Sequence, residues 1–358
     1  MEKVQNKERK SNFELLRIFA MILIILHHYS LHGGLFKIDS TGINKFIGTT
    51  IYFGGKLGVN LFVILSGYFL INSKFKCKKV LKLILQVLFY TIGLISLYIV
   101  IKGMPETNII KKSFFPITYG TYWFFTIYIG LYVLSPFINK FLNGISKKNL
   151  GTLLVILTFM FSILGTVTLE SKFMGNLQWF VFLYMVGAYI NLYDFPKISK
   201  KIFYLLSIFG LILIIGIVNL ITYISIENSN HFSRIYQIVG MNYLLTFIES
   251  ICIFMTFKNF EVKNNKIINV LGKSSFGVYL FHENMFREFF WKKLLKVEMF
   301  YFAEPYWLIL HIIGCTIGIY LVGTLIELVR AKVIEGPIFK INKFDKWFEK
   351  IDNCINCE

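Results

Sequence analysis

Charge is what this chain has least of. Asp, Glu, Lys and Arg make up 16% of its 358 residues, and only 20 positions are acidic, where a soluble domain carries about 25% charged residues. Hydrophobic residues reach 56%, with 38 Phe, and the apolar runs lack a polar face over some twenty residues at a time, which excludes one water-soluble core. Cysteine is also scarce: five, scattered and odd in number, so there is no disulfide framework. Cys354 and Cys357 form one C-x-x-C pair in the tail, but no second pair or following histidines complete a zinc site, and no bound metal is expected. The first apolar run has no small-residue cleavage site and is expected to remain as a transmembrane helix. No internal repeat is visible, which speaks against an inverted-repeat transporter.

What is present is a succession of apolar segments. A helix needs about twenty residues to cross the hydrocarbon, and on that measure ten spans are expected: 13–32, 48–71, 80–101, 121–142, 150–168, 176–192, 202–224, 239–257, 267–285 and 306–329. The fold class is therefore an all-α integral membrane protein, a polytopic bundle of about ten transmembrane helices. Alternate connections, counted with both termini, hold 24 Lys and Arg against 11 in the other set. Positive residues stay on the cytoplasmic side, so an N-in and C-in orientation is expected. The same distribution accounts for the net charge of +18 by topology and anionic lipid, and excludes nucleic acid as a partner. One outer connection is anomalously basic, with Arg287, Lys292, Lys293 and Lys296. Residues 1–335 are expected to form the membrane domain. The tail, 336–358, places Ile341, Phe344, Phe348 and Ile351 at helical spacing, as in an amphipathic helix on the inner leaflet with Trp347 at headgroup level.

Several ionisable groups lie where a membrane span should have none. In the first span Glu14, Arg17, Met21, Ile24, His28 and His32 keep helical spacing and share one face. An arginine in mid-bilayer costs about 3 kcal/mol even on insertion scales, so this stripe should face protein or water. His27 points about 100° away from His28. In "GVNLFVILSGYFL", Asn60 needs a polar partner, while Ser66 and Gly67 permit close helix approach. The lysines just after this span, Lys74, Lys76, Lys78, Lys79 and Lys82, fit a topology signal and also a phosphate cradle. Tyr122 and Trp123 suit an interfacial belt, or alternatively a stacking surface for a sugar ring. His282, Glu283 and Asn284 close the ninth span, with Arg287 just beyond, and form a polar group suited to an acceptor.

Together, the LLR-x10-H helix, "GVNLFVILSGYFL", "YWFFTIYIGLYVLSPF" and "SSFGVYLFHENMFR" resemble the membrane-bound acyltransferase-3 family, in order over about residues 11–330. That family includes bacterial O-antigen and capsule O-acetyltransferases. The resemblance implies an O-acetyltransferase of the bacterial cytoplasmic membrane, with acetyl-CoA or another acyl-CoA as donor and a glycan or lipid-linked glycan as acceptor. It places the family's arginine and histidine on Arg17 and His28, an acidic residue on Glu14, and the serine-glycine motif on Ser66 and Gly67. Many relatives have aspartate at Asn60 and arginines where this chain has lysines, and lysine cannot fork bidentately. His28, with a near-neutral imidazole, is the expected general base, with Glu14 beside it in the catalytic set. Arg17, Lys78 and Lys79 are expected to hold the donor. Tyr122, Trp123, His282, Asn284 and Arg287 are expected at the acceptor. A transporter or flippase of a lipid-linked sugar would place the same groups along a path instead.

Overall fold

Backbone groups inside a bilayer find no water, so a chain this apolar must satisfy them within helices. The computed structural model of the protein describes residues 10–35, 42–168, 174–193, 199–227, 239–338 and 345–356. All regular structure among the described residues is helical.

In chain order the helices of eight or more residues are α1 (Ser11–Gly33), α2 (Ile43–Tyr52), α3 (Gly54–Leu70), α4 (Cys77–Lys102), the short α5 (Thr107–Phe114) and α6 (Trp123–Gly144). Then come α7 (Lys147–Thr168, with one π-helical turn), α8 (Asn176–Tyr193), α9 (Lys200–Glu227), α10 (Leu244–Asn259), α11 (Lys266–His282), α12 (Pro305–Arg330) and α13 (Asp345–Asn356).

Seven segments among the described residues are long and apolar enough to cross a membrane, counting α2 and α3 as one. The other three expected spans coincide with α8, α10 and α11, which have 18, 16 and 17 residues. These are interior helices. Most of the α8 side chains are buried on every side, and α11 packs between α1 and α12.

The expected second span, 48–71, is two helices interrupted at Phe53. At that break the Tyr52 carbonyl accepts a hydrogen bond from His27 Nδ1, 2.5 Å away. Gly54, Gly55 and Gly58 bring α3 against α1: a Cβ on Gly58 would meet the Ala20 carbonyl and the Ile24 side chain, the latter at 2.9 Å.

Gly67 and Gly187 do the same for α3 and α8. A Cβ on Gly67 would lie 2.8 Å from Tyr184 Cα, and one on Gly187 2.9 Å from Tyr68 N. Small residues that admit a facing backbone are the main packing device where lipid removes the hydrophobic drive between helices. Gly67→Ala therefore overpacks backbone against backbone. The expected result is destabilisation of about 1–3 kcal/mol, read as a lower unfolding midpoint in detergent.

Asn60 is a structural staple. Its Nδ2 donates to the Met241 carbonyl (2.7 Å) and to Ser250 Oγ (3.1 Å), while its Oδ1 accepts from Trp179 Nε1 (3.0 Å). Three elements that share no sequence neighbourhood are joined by one fully satisfied amide.

The tail helix is joined to the rest of the protein. In α13 Trp347 is exposed and Phe348 and Ile351 are half-buried, but the polar face docks on the protein through Asp352 and Asn356, which bond to the α3–α4 linker. Ile341, Phe344 and Cys357 lie outside the described residues.

Candidate functional site

α1 carries the site because it lies between α3 and α11, and its polar stripe faces the space those helices leave. That space is a cavity of about 960 Å³. Glu14, Arg17, Met21, Ile24, His28 and His32 all line it, as the spacing along α1 predicts. Its lining runs from Lys10, Asn72 and Arg330 at one end to His32, Glu283 and Arg287 at the other. The cavity thus tracks α1 along its whole length, and Arg17 and His28 are separated by about 16 Å of helix rise.

The two adjacent histidines have separate tasks. His27 also touches the cavity, but its Nδ1 is engaged by the Tyr52 carbonyl and its ring packs on the Tyr52 ring at 4.4 Å. It supplies a donor to the backbone at the interruption of the α2–α3 span, the role that a broken membrane helix requires of a neighbour.

His28 is held by a chain of hydrogen bonds whose direction can be traced from its far end. His282 Nδ1 lies 2.6 Å from the Val278 carbonyl, an acceptor only, so that nitrogen carries the proton. With the ring neutral, His282 Nε2 is then an acceptor, and His28 Nδ1, 3.0 Å away, donates to it. This leaves the lone pair on His28 Nε2, buried, and facing Glu283 Oε2 at 3.4 Å. Two acceptors facing each other in a buried site form a slot for a proton donor, such as a hydroxyl.

Glu283 is itself fixed from two sides. His32 Nε2 donates to Oε2 at 2.7 Å, and Arg287 Nη1 lies 3.2 Å from Oε1. A carboxylate so placed would stabilise an imidazolium formed on His28, as the acid does in a histidine-based triad. His28, His32 and Glu283 also offer three ligand-type atoms within 4.8 Å of one another, a set that would suit a divalent cation by its chemistry.

The end of the cavity beside the start of α1 is cationic with paired acids. Arg17 Nη1 bonds Glu14 Oε1 at 2.6 Å, with the arginine side chain 28% exposed towards the cavity. Arg330 is nearly fully buried and forks onto Glu327, Nε to Oε2 at 2.9 Å and Nη2 to Oε1 at 2.7 Å. It also reaches Glu335 at 2.9 Å, and Glu335 pairs in turn with Lys82. Lys79 and Lys82 line the cavity.

The remaining expected site residues divide between the cavity wall and the packing around it. Lys78 is not among the cavity-lining residues, which include its neighbour Lys79. Tyr122 is 1% exposed and its hydroxyl donates to the Leu280 carbonyl at 3.0 Å. It therefore ties α6 to α11 and is not among the residues that line the cavity. Trp123 does line the cavity, with Lys56 Nζ 5.1 Å from its ring. Asn284 is buried and caps the turn after α11, its Nδ2 donating to the Phe281 carbonyl and its Oδ1 accepting from Phe286 N. Ser66 lines the cavity and donates to the Phe62 carbonyl, while Gly67 acts by its lack of a side chain.

Sequence reasoning grouped Glu283 with the acceptor residues and missed its pairing with His28, and it gave Arg330 no role in the site. Glu283 comes just after the last residue of α11, so helical spacing gives no direction for its side chain. Arg330 reads in the sequence as a topological cation, although Glu327 three residues before it is an i, i+3 partner visible there.

The helices thus enclose a cavity with a histidine–glutamate pair at one end and, at the other, the buried Arg330 and the partly exposed Arg17. The acyltransferase-3 profile, described as an acyltransferase domain, matches residues 10–330. The chain belongs to that family and is a membrane acyltransferase. No curated protein and no solved structure gives a match.

Proposed function

We propose that the protein is an O-acetyltransferase that moves an acetyl group from acetyl-CoA to a hydroxyl of a cell-surface polysaccharide or its lipid-linked precursor. The observation that carries this is the continuous cavity joining a cationic inner end to the His28–Glu283 slot. The proposed setting is the bacterial cytoplasmic membrane. Here α8, α10 and α11 complete a ten-span bundle with both termini inside, in keeping with the lysine and arginine distribution.

The anionic head of the donor would rest on Arg17, Lys79 and Lys82, arginine forking onto phosphate and lysine serving as a point charge, with Arg330 holding Glu327 and Glu335 beside them. The pantetheine arm would run outward along α1 over a distance comparable to its own length. The acceptor hydroxyl donates to His28 Nε2 and attacks the thioester carbonyl as its proton transfers to the imidazole. The C–O bond forms, the C–S bond breaks, and the proton held on His28 passes to the departing sulfur. Glu283 supports the transient imidazolium, and His282 holds the ring so that Nε2, not Nδ1, faces the substrate. Lys56 and Trp123 line the same cavity and suit a sugar ring with an anionic substituent. Arg287 stands where a lipid-linked pyrophosphate would meet a cation.

The test is mass spectrometry of surface glycans from cells with and without the gene. Loss of one acetyl mass per modified sugar on deletion is the expected result. An unchanged glycan mass with reduced export would instead make the cavity a path for a lipid-linked sugar.

A further inference from the structure

The family match ends at residue 330, and the C-terminal helix α13, which lies outside it, is attached to the donor end of the cavity. α4 begins at Cys77 with Lys76 as N-cap and no side-chain cap of its own. The free donors at a helix start need an acceptor, and an acid there also meets the positive end of the helix dipole. Asp352 of α13 supplies both: its Oδ1 accepts from Cys77 N at 2.6 Å. One turn later Asn356 clamps Phe75 through both its backbone groups. Its Oδ1 accepts from Phe75 N at 2.9 Å, and its Nδ2 donates to the Phe75 carbonyl at 3.2 Å.

The opposite side of the linker is fixed by α6. Phe75 is buried against the Tyr132 ring at 5.3 Å, and Lys76 N donates to Tyr132 Oη at 3.2 Å. The linker between α3 and α4 is therefore held between a core tyrosine and the C-terminal helix. Residues on both sides of this clamp, Asn72 and Ser73 before it and Lys79 and Lys82 after it, line the cavity. Lys79 Nζ sits 4.7 Å from the same Tyr132 ring.

We infer that α13 is a clip for the donor site: Asp352 and Asn356 are positioning residues that fix the start of α4, and thereby Lys79 and Lys82, for the acyl-CoA head. This rests on the inner end of the cavity being the donor mouth. Neither residue lines the cavity itself, so the effect is transmitted through the linker backbone.

The experiment uses the full-length protein in detergent, with coenzyme A as the probe. Three variants are compared with wild type: D352A/N356A, the conservative D352N, which keeps an acceptor for Cys77 N, and K79A/K82A. Hydrogen exchange of the peptide 71–78 reports the clip directly. Titration calorimetry reports coenzyme A binding. In D352A/N356A the exchange of 71–78 is expected to rise and the Kd for coenzyme A to increase about tenfold, with D352N close to wild type in both. Unchanged exchange would overturn the clip, and faster exchange with unchanged Kd would overturn its role in donor binding. Should K79A/K82A bind coenzyme A as wild type does, the donor mouth itself is misplaced and the inference falls with it, irrespective of what the exchange reports.

Discussion

Replacing His28 by alanine is expected to lower acyl transfer by a factor of about 10² to 10⁴, the usual contribution of a positioned general base. The quantity to measure is release of free coenzyme A in membranes matched for protein level. Donor binding should stay near wild type, because His28 lies about 16 Å along α1 from Arg17. The adjacent residue provides the control. His27→Ala removes a buried hydrogen bond to the Tyr52 carbonyl, at a cost of about 1–3 kcal/mol. Its signature is lower folded protein, with the surviving fraction turning over normally. Full activity in H28A at normal abundance would remove His28 from the chemistry.

The second large effect is expected at Glu283. Glu283→Gln keeps the shape but loses the charge opposite His28 Nε2, and it weakens the bonds from His32 and Arg287. Loss of about 10²-fold or more in kcat is expected, with little change in KM for the donor, as for an acid that supports a catalytic imidazolium. A variant whose KM for the donor rises while kcat holds would place Glu283 in binding instead. The alanine variant is less informative. It takes a shared partner from Arg287 and His32 at once, so folding and chemistry are lost together.

How much of this was legible in the sequence depends on the range of the signal. The stripe on α1 was legible because helical spacing fixes the relative direction of side chains within one helix. Arg17 and His28 fall on the cavity wall as the spacing requires. The interruption at Phe53 has a local signal in the Gly54-Gly55-Lys56 that follows it, but the hydrogen bond that meets the carbonyl at the break comes from another helix. Tyr122 and Trp123 are consecutive and aromatic, yet one ties two helices and the other lines the cavity. Composition cannot separate them, because adjacent residues on a helix face different neighbours. The partners of Asn60 lie more than a hundred residues away, as do those of His28. Pairings of that kind belong to the packing of the bundle, which no local period encodes.

The chain of bonds behind His28 has a bearing on the energetics of the cell. A cavity that runs beside a membrane helix and is lined with titratable groups is a hazard for the proton gradient. Behind His28 the relay runs to His282 and stops at the carbonyl of Val278, which can accept a hydrogen bond but has no proton to pass on. That branch is a cul-de-sac. A proton taken up at Nε2 has to leave by the side on which it arrived, which keeps this branch from acting as a leak.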